Sequence, residues 1–350
     1  MSAAPQNLTD YCRQAQDKLH PDIWRYLHDP GDHRNTQALA STQLMPRPLR
    51  NLSGGHTGLT LFGQKLDHPI LLAPVAYQTL FHPDGEKASA MAAKAQGGQL
   101  VISSLASHLF ADIVRCTRED DAQTDVTPAP WFQLYWQNGR ANTLALLERA
   151  TQAGCSAVVL TVDAPVKVAS LDLPSGVRAV NLSPPDSVTR PGSSVFKGWM
   201  AQAPTWQDVA WLRRQTRLPL LVKGLLHPDD AQLAMDTGCD GVVVSNHGGR
   251  TLLAAPASIQ CLASVVARVQ GQVPVLFDSG IRSGQDVFSA IAHGATAVLL
   301  GRPYIWGLAT HGPWGVAHVI RLLRDELELT MALTGCALLS DIGRHCLFET

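Results

Sequence analysis

From Pro69 onward the hydrophobic residues fall into two alternating rhythms: short β-branched runs, and stretches with apolar positions three and four apart. Such alternation marks βαβ units and a parallel sheet. Eight runs stand out: Ile70–Val75, Gln99–Ser104, Trp131–Trp136, Ala157–Asp163, Leu218–Gly224, Gly241–His247, Val273–Ser279 and Ala297–Arg302. Each is apolar throughout instead of alternating with polar residues, as strands covered on both faces are. The helices between them carry start and stop signals. Ser283 is placed to cap a helix with Asp286 three residues on, Val287, Ala290 and Ile291 form its stripe, and Gly294 ends it. Another opens at Pro228 and stops at Gly238. Eight strands with crossover helices over roughly 250 residues predict a closed (β/α)8 barrel of the TIM class, with an open doubly wound sheet as the alternative.

Two pieces lie outside the repeat. Residues 1–66 predict a helix over Tyr11–Tyr26 and a strand over Leu59–Gly63 that plugs the barrel's N-terminal end, and Gly315–Gly335 has the spacing of a long packing helix. Between Val166 and Pro204 the pattern gives way to Pro, Ser, Gly and Asp, which predicts an irregular lid after the fourth strand, over residues 166–204. The 350 residues thus read as a single barrel domain carrying an N-terminal extension.

Composition narrows the partners. With 45% hydrophobic and 16% charged residues, net charge −1 and no Lys/Arg run, the chain has no electrostatic footprint for nucleic acid or an anionic membrane, so small molecules are expected. Seven scattered cysteines (Cys12, Cys116, Cys155, Cys239, Cys261, Cys336 and Cys346) suit neither a disulfide framework nor a zinc ribbon and read as reduced packing residues. The first residues show no secretory leader pattern, no segment reaches ~18 uninterrupted apolar residues, and the tail Phe348-Glu349-Thr350 matches no receptor-read address. A cytoplasmic location is the expectation.

The chemistry is expected at the C-terminal ends of the strands. Ser103, Gln133, Tyr135, Thr161, Asp163, Lys223, Ser245 through Arg250, Asp278, Arg282, Gly301 and Arg302 all fall there. The stretches 278–284 and 301–303 supply glycines, arginines and a helix start, the parts of a phosphate site, against the plainer reading of Gly-rich turns with surface arginines. His247, directly after an apolar strand and before two glycines, suits a base working near neutral pH, and Arg250 suits a two-point grip on a carboxylate. Lys223 at a buried strand end needs an anion, either an electron-rich flavin edge or a neighbouring carboxylate. Dinucleotide, P-loop, zincin and nucleophile-elbow motifs are all missing.

At these residues the chain resembles the FMN-dependent 2-hydroxy-acid oxidase and dehydrogenase family. The likeness runs from about Lys18 to Ile342 and includes LLAPVAYQTLFHPDGE (72–86), WFQLYWQ (131–137), LTVDAP (160–165), LPLLVKG (218–224), GVVVSNHGGR (241–250), FDSGIRSGQDVF (277–288) and LLGRPYIWGLA (299–309). The resemblance implies FMN across the barrel mouth, touched by Pro74, Val75, Ala76, Ser103, Gln133, Thr161, Ser245 and Asp278, with its phosphate near Gly280, Arg282, Gly301 and Arg302 and Lys223 beside N1 and O2. It also implies His247 as base supported by Asp163, Arg250 on the substrate carboxylate, Tyr26 and Tyr135 as active-site phenols, and a homotetramer. No metal is implied.

One departure stands out. Seven residues beyond Asp163 the family has a second carboxylate-binding arginine, and this chain has Ser170. Losing one of two charge-assisted contacts costs about 1.5–3 kcal/mol of substrate binding unless Lys167 or Arg178 replaces it. Leu105 stands where glycolate oxidase, one member, has a tryptophan. The resulting expectation is oxidation of a 2-hydroxy acid to the 2-oxo acid. His247 would take the hydroxyl proton as hydride passes to flavin N5, or abstract the alpha proton first, and oxygen, a quinone or a protein would accept the electrons. The alternatives are a hydroxylated substrate lacking a free carboxylate and a catalytically silent flavin-binding protein.

Overall fold

The computed structural model describes residues 4–28, 31–118, 128–164, 173–182 and 194–348. Its β-structure begins with an antiparallel hairpin, β1 (Leu59–Leu61) and β2 (Gln64–Leu66). Eight parallel strands follow: β3 (Ile70–Leu72), β4 (Gln99–Ser103), β5 (Trp131–Tyr135), β6 (Val158–Thr161), β7 (Leu220–Leu225), β8 (Gly241–Val244), β9 (Val275–Asp278) and β10 (Ala297–Leu300). Each pairs with its chain neighbours, and β10 returns to β3 with Val298 opposite Ile70, so the sheet closes and the open doubly wound alternative is excluded. The strands are shorter than the apolar runs. In β3 the ladder stops before Pro74, which has no N–H to donate, and the chain there turns into the barrel mouth.

The continuous apolar runs reflect two cores that share one set of strands. Leu71, Val101, Trp131, Val159, Leu221, Val243, Leu276 and Leu299 point into the barrel, where Leu61, Leu66 and Phe62 of the hairpin close its N-terminal end as the strand prediction at 59–63 anticipates. Their strand neighbours, such as Ile70, Ile102, Phe132, Val222 and Phe277, point outward into the second core. Side chains of a strand alternate faces, so burial on both leaves no polar position to read.

The helices are α1 (Leu8–Lys18), α2 (Pro21–Leu27), α3 (Asp32–Ala40), α4 (Gly85–Ala95), α5 (Phe110–Arg115), α6 (Arg140–Ala153), α7 (Trp206–Gln215), α8 (Pro228–Asp236), α9 (Ser258–Val269), α10 (Gly284–Ala292) and α11 (Arg302–Thr334). Ser283 Oγ accepts from Asp286 N at 3.1 Å at the start of α10, and α8 opens at Pro228, as expected. Two expectations need correction. The predicted Tyr11–Tyr26 helix is two helices, because Pro21 starts a new one behind a His20 cap, and α3 follows as a third. The helix expected from Gly315 begins at Arg302, and a break at His311 and Gly312, just before Pro313, divides it. Among the described residues no helix is long and apolar enough to cross a membrane.

The extension folds back on the barrel. Tyr11 of α1 meets His318 Nδ1 of α11 at 2.9 Å. Near the other end of the chain, Met45 N donates to Cys346 O at 2.8 Å and Phe348 N to Gln43 O at 2.9 Å, forming a clasp between the extension and the last residues.

Candidate active site

The strand ends of the barrel open on a cavity of about 790 Å³. Its base is set by the turn after β8. Asn246, His247, Gly248 and Gly249 bend sharply, with positive φ at the last three, and Asn246 Oδ1 accepts from Gly249 N at 3.1 Å. Asn246 and Asn35 of α3 exchange amide hydrogen bonds of 2.9 and 3.0 Å, and Asn246 N donates to Ser258 Oγ. A Cβ on Gly249 would lie 2.4 Å from the Gly31 carbonyl, so only glycine lets the extension approach this closely.

This bend turns the His247 side chain into the cavity. Its Nδ1 lies 2.9 Å from Asp163 Oδ1, and Nε2 lies 3.5 Å from the Tyr135 hydroxyl. Burial pushes the Asp163 carboxyl up, but His247 and then Lys223 outweigh it and hold the group below its ordinary value. The second oxygen of Asp163 is buried with no hydrogen-bond partner among the described residues. Arg250 lies over the Tyr26 ring and donates through Nη2 to the Tyr26 and Leu27 carbonyls at 2.8 and 2.7 Å. Burial raises the Tyr26 phenol to about 12 and pushes Tyr135 up as well, so both are hydroxyl donors at any working pH.

Lys223, 3% exposed, sits 2.7 Å from Asp278 Oδ2 and donates to Ser245 Oγ at 3.0 Å. Burial pulls its ammonium down, but Asp278 and Asp163 reverse that and raise it. The plainer expectation for Lys223, a carboxylate partner, is therefore met, while its side chain still lines the cavity.

Three strand positions run beside it. Ser103 Oγ donates to Gln133 Oε1 at 3.3 Å, which leaves Gln133 Nε2 buried without a partner among the described residues, and Thr161 Oγ1 is orphaned in the same way. Buried donors and acceptors normally find partners, so this pair has hydrogen-bonding capacity left over for a ligand. Pro74, Val75 and Ala76 form the adjoining wall, while Gln133, Thr161 and Ser245 are buried and do not line the cavity.

On the far side Gly280, Arg282, Gly301 and Arg302 line the cavity together, as the phosphate-site reading requires. Both guanidinium groups meet Asp32: Arg302 Nη1 at 3.0 Å, and Arg282 through Nη2. Arg302 also donates to Leu27 O and Gly248 O, and Arg282 packs over the Trp306 ring. These are not free surface arginines.

Sequence reasoning missed Asp32, which reads locally as an acidic residue in a first helical turn and gives no sign of partners some 250 positions away. It also missed Tyr77, a left-handed residue beyond Ala76 whose phenol faces the cavity. Leu105, Leu173, Val195 and Met200 form an apolar rim, three of them from the predicted lid. Ser170 and Lys167 lie outside the described residues, and Arg178 is exposed and does not line the cavity.

The FMN-dependent dehydrogenase family matches residues 15–349. An L-lactate oxidase of Roseobacter sp. (strain GAI101) is 44% identical, with 97% of this chain and 93% of that protein covered. A mandelate oxidase with (S)-2-phenylpropionate superposes with TM-score 0.86 at 37% identity, covering 99% of each chain. An arginine-to-leucine variant of mandelate oxidase with 2-hydroxy-phenylacetamide superposes with TM-score 0.85, also at 37% identity and 99% of each chain.

Proposed function

This chain belongs to the FMN-dependent dehydrogenase family and oxidises 2-hydroxy acids to 2-oxo acids, and we propose that His247 is the base, oriented by Asp163. The observation that carries the proposal is the 2.9 Å contact between His247 Nδ1 and Asp163, which fixes the proton on Nδ1 and leaves Nε2 to accept one in the cavity. The substrate hydroxyl gives its proton to Nε2, and the imidazolium so formed is paired with the carboxylate behind it. Arg250 holds the substrate carboxylate with the N–H groups that its backbone contacts leave over, and Tyr26 and Tyr135 flank it as neutral donors. FMN supplies the two-electron acceptor for the carbinol carbon. Pro74, Val75, Ala76, Ser103, Gln133, Thr161, Ser245, Lys223 and Asp278 would hold its ring, and Gly280, Arg282, Gly301 and Arg302 its phosphate. Lys223 would place a positive charge beside that ring.

The apolar rim favours a substrate with an apolar side chain, and the likeness to an L-lactate oxidase makes L-lactate the first to try. The same likeness favours oxygen as acceptor, reduced to hydrogen peroxide. Ser170 supports a second reading, in which amides or esters of 2-hydroxy acids are also accepted, and a mandelate oxidase variant lacking an arginine is known with such an amide. We further read residues 1–350 as one domain with residues 166–204 as its lid, a reading supported by Leu173, Val195 and Met200 on the rim. The family resemblance supports a homotetramer, and seven free cysteines suit a reducing cytoplasm.

Anaerobic mixing with a panel of 2-hydroxy acids, amides and esters, followed by flavin absorbance, tests these points together. His247→Ala is expected to keep FMN and to slow bleaching by at least ~100-fold. Bleaching at the parental rate would remove His247 from its role. Reduction by amides as fast as by acids would favour the second reading.

A further inference from the structure

Away from the barrel mouth, the C-terminal clasp brings two thiols together. Cys336 follows the glycine that ends α11, Cys346 closes a 3-10 turn over Arg344–Cys346, and their sulfurs are 3.6 Å apart. Both are buried, and both face the Asp341 carbonyl, at 3.5 and 4.0 Å. His345 Nε2 lies 3.4 Å from Cys346 Sγ, which puts a proton acceptor beside that thiol.

We propose that Cys336 and Cys346 are an oxidisable dithiol that hydrogen peroxide closes to a disulfide, stapling the end of α11 to the clasp. The peroxide source rests on the reading of oxygen as acceptor. His345 takes the Cys346 proton, and the thiolate attacks one peroxide oxygen. The O–O bond breaks, Cys346 becomes a sulfenic acid, and the hydroxide released collects the proton from His345 to leave as water. The Cys336 sulfur then displaces the sulfenic hydroxyl, its own proton leaves with that group as a second water, and the S–S bond forms. Two thiols lose two protons and two electrons, and one peroxide becomes two waters.

The division of labour follows from the surroundings. Burial and the Cys346 contact push the Cys336 thiol up to about 11, which suits the resolving partner, and His345 sits by the other. Closing the gap to a bond requires the sulfurs to approach by roughly 1.5 Å. The intervening chain is made of two short 3-10 turns joined by Gly343, with no regular helix to unwind. Cys346 O already accepts from Met45 N, so the staple would fix the extension's attachment, and neither cysteine lines the cavity.

The test uses the full-length, FMN-loaded protein in two arms: brief exposure to hydrogen peroxide, and aerobic turnover of L-lactate with or without catalase. Thiols are then blocked, counted after denaturation and mapped by peptide mass. Titratable thiols are expected to fall from seven to five in both arms, with a linked Cys336–Cys346 peptide that dithiothreitol separates. Catalase should protect the second arm. Cys346→Ser should abolish the linked peptide and keep turnover, and His345→Gln should slow linkage by at least ~10-fold. Should either variant fail to fold, peptide mapping of the unaltered chain decides alone. Seven surviving thiols, or sulfinic and sulfonic acids without a linked peptide, overturn the proposal. Linkage by added peroxide but not during turnover upholds the dithiol and counts against oxygen as acceptor.

Discussion

His247 sits at φ 57°, a left-handed conformation that costs a non-glycine residue free energy and persists only when its surroundings over-determine it. Here they do: its N–H donates to Ser245 Oγ, its Nδ1 meets Asp163, and the next two positions are glycines. The Asp163 carboxyl titrates lower in the folded protein than in the unfolded chain. Its stabilising contribution is therefore complete above the ordinary carboxylate range and is lost as pH falls through the lowered value. Urea midpoints should drop on acidification below about pH 4, and Asp163→Asn should flatten that drop; an unchanged slope would remove the coupling. Lys223 has the opposite sign, since its folded value is raised: its contribution is present at neutral pH and is lost only in strong alkali. Lys223→Met leaves Asp278 without its counter-charge, with only the Ser245 hydroxyl to satisfy it, and should cost about 3–5 kcal/mol in denaturant titrations. At this scale the sequence was informative wherever a reactive residue stood next to a strand end, as with His247 and Lys223. Asp32 and Tyr77 were illegible because what defines them is a tertiary neighbour.

The turn after β8 shows how an element holds such residues. Its glycines are needed for two reasons, backbone sign at Gly248 and close approach at Gly249, where the extension's Gly31 passes against the main chain. Gly249→Ala should therefore push the extension away from the site. We expect a loss of at least ~1–3 kcal/mol of stability, with weakened FMN retention measured by ultrafiltration. Normal retention would show that the extension tolerates displacement. The strands were readable from composition because both faces are buried. Helix boundaries are less so: the spacing predicts a helix from Gly315, whereas α11 begins at Arg302 and is broken at His311 and Gly312, just before Pro313.

At the scale of the molecule, the barrel separates stability from chemistry along its axis. The hairpin that caps the N-terminal end packs on the inner core and contributes no residue to the cavity wall, so Leu61→Ala should cost about 2–5 kcal/mol with turnover per folded, flavin-loaded molecule unchanged. A changed rate would mean that the two ends communicate through the stacked side chains between them. Closure and strand order were legible from the count of eight runs and their size. The docking of the extension was not, since residues 1–66 carry no repeat to align against the barrel.

The extension also imposes an order on biosynthesis. Asp32 and the Leu27 carbonyl leave the ribosome well before their partners Arg250, Arg282 and Arg302, which are translated more than 200 residues later. The opening helices must wait undocked while the barrel is being made, and no nascent chain shorter than about residue 302 has a completed cofactor cradle.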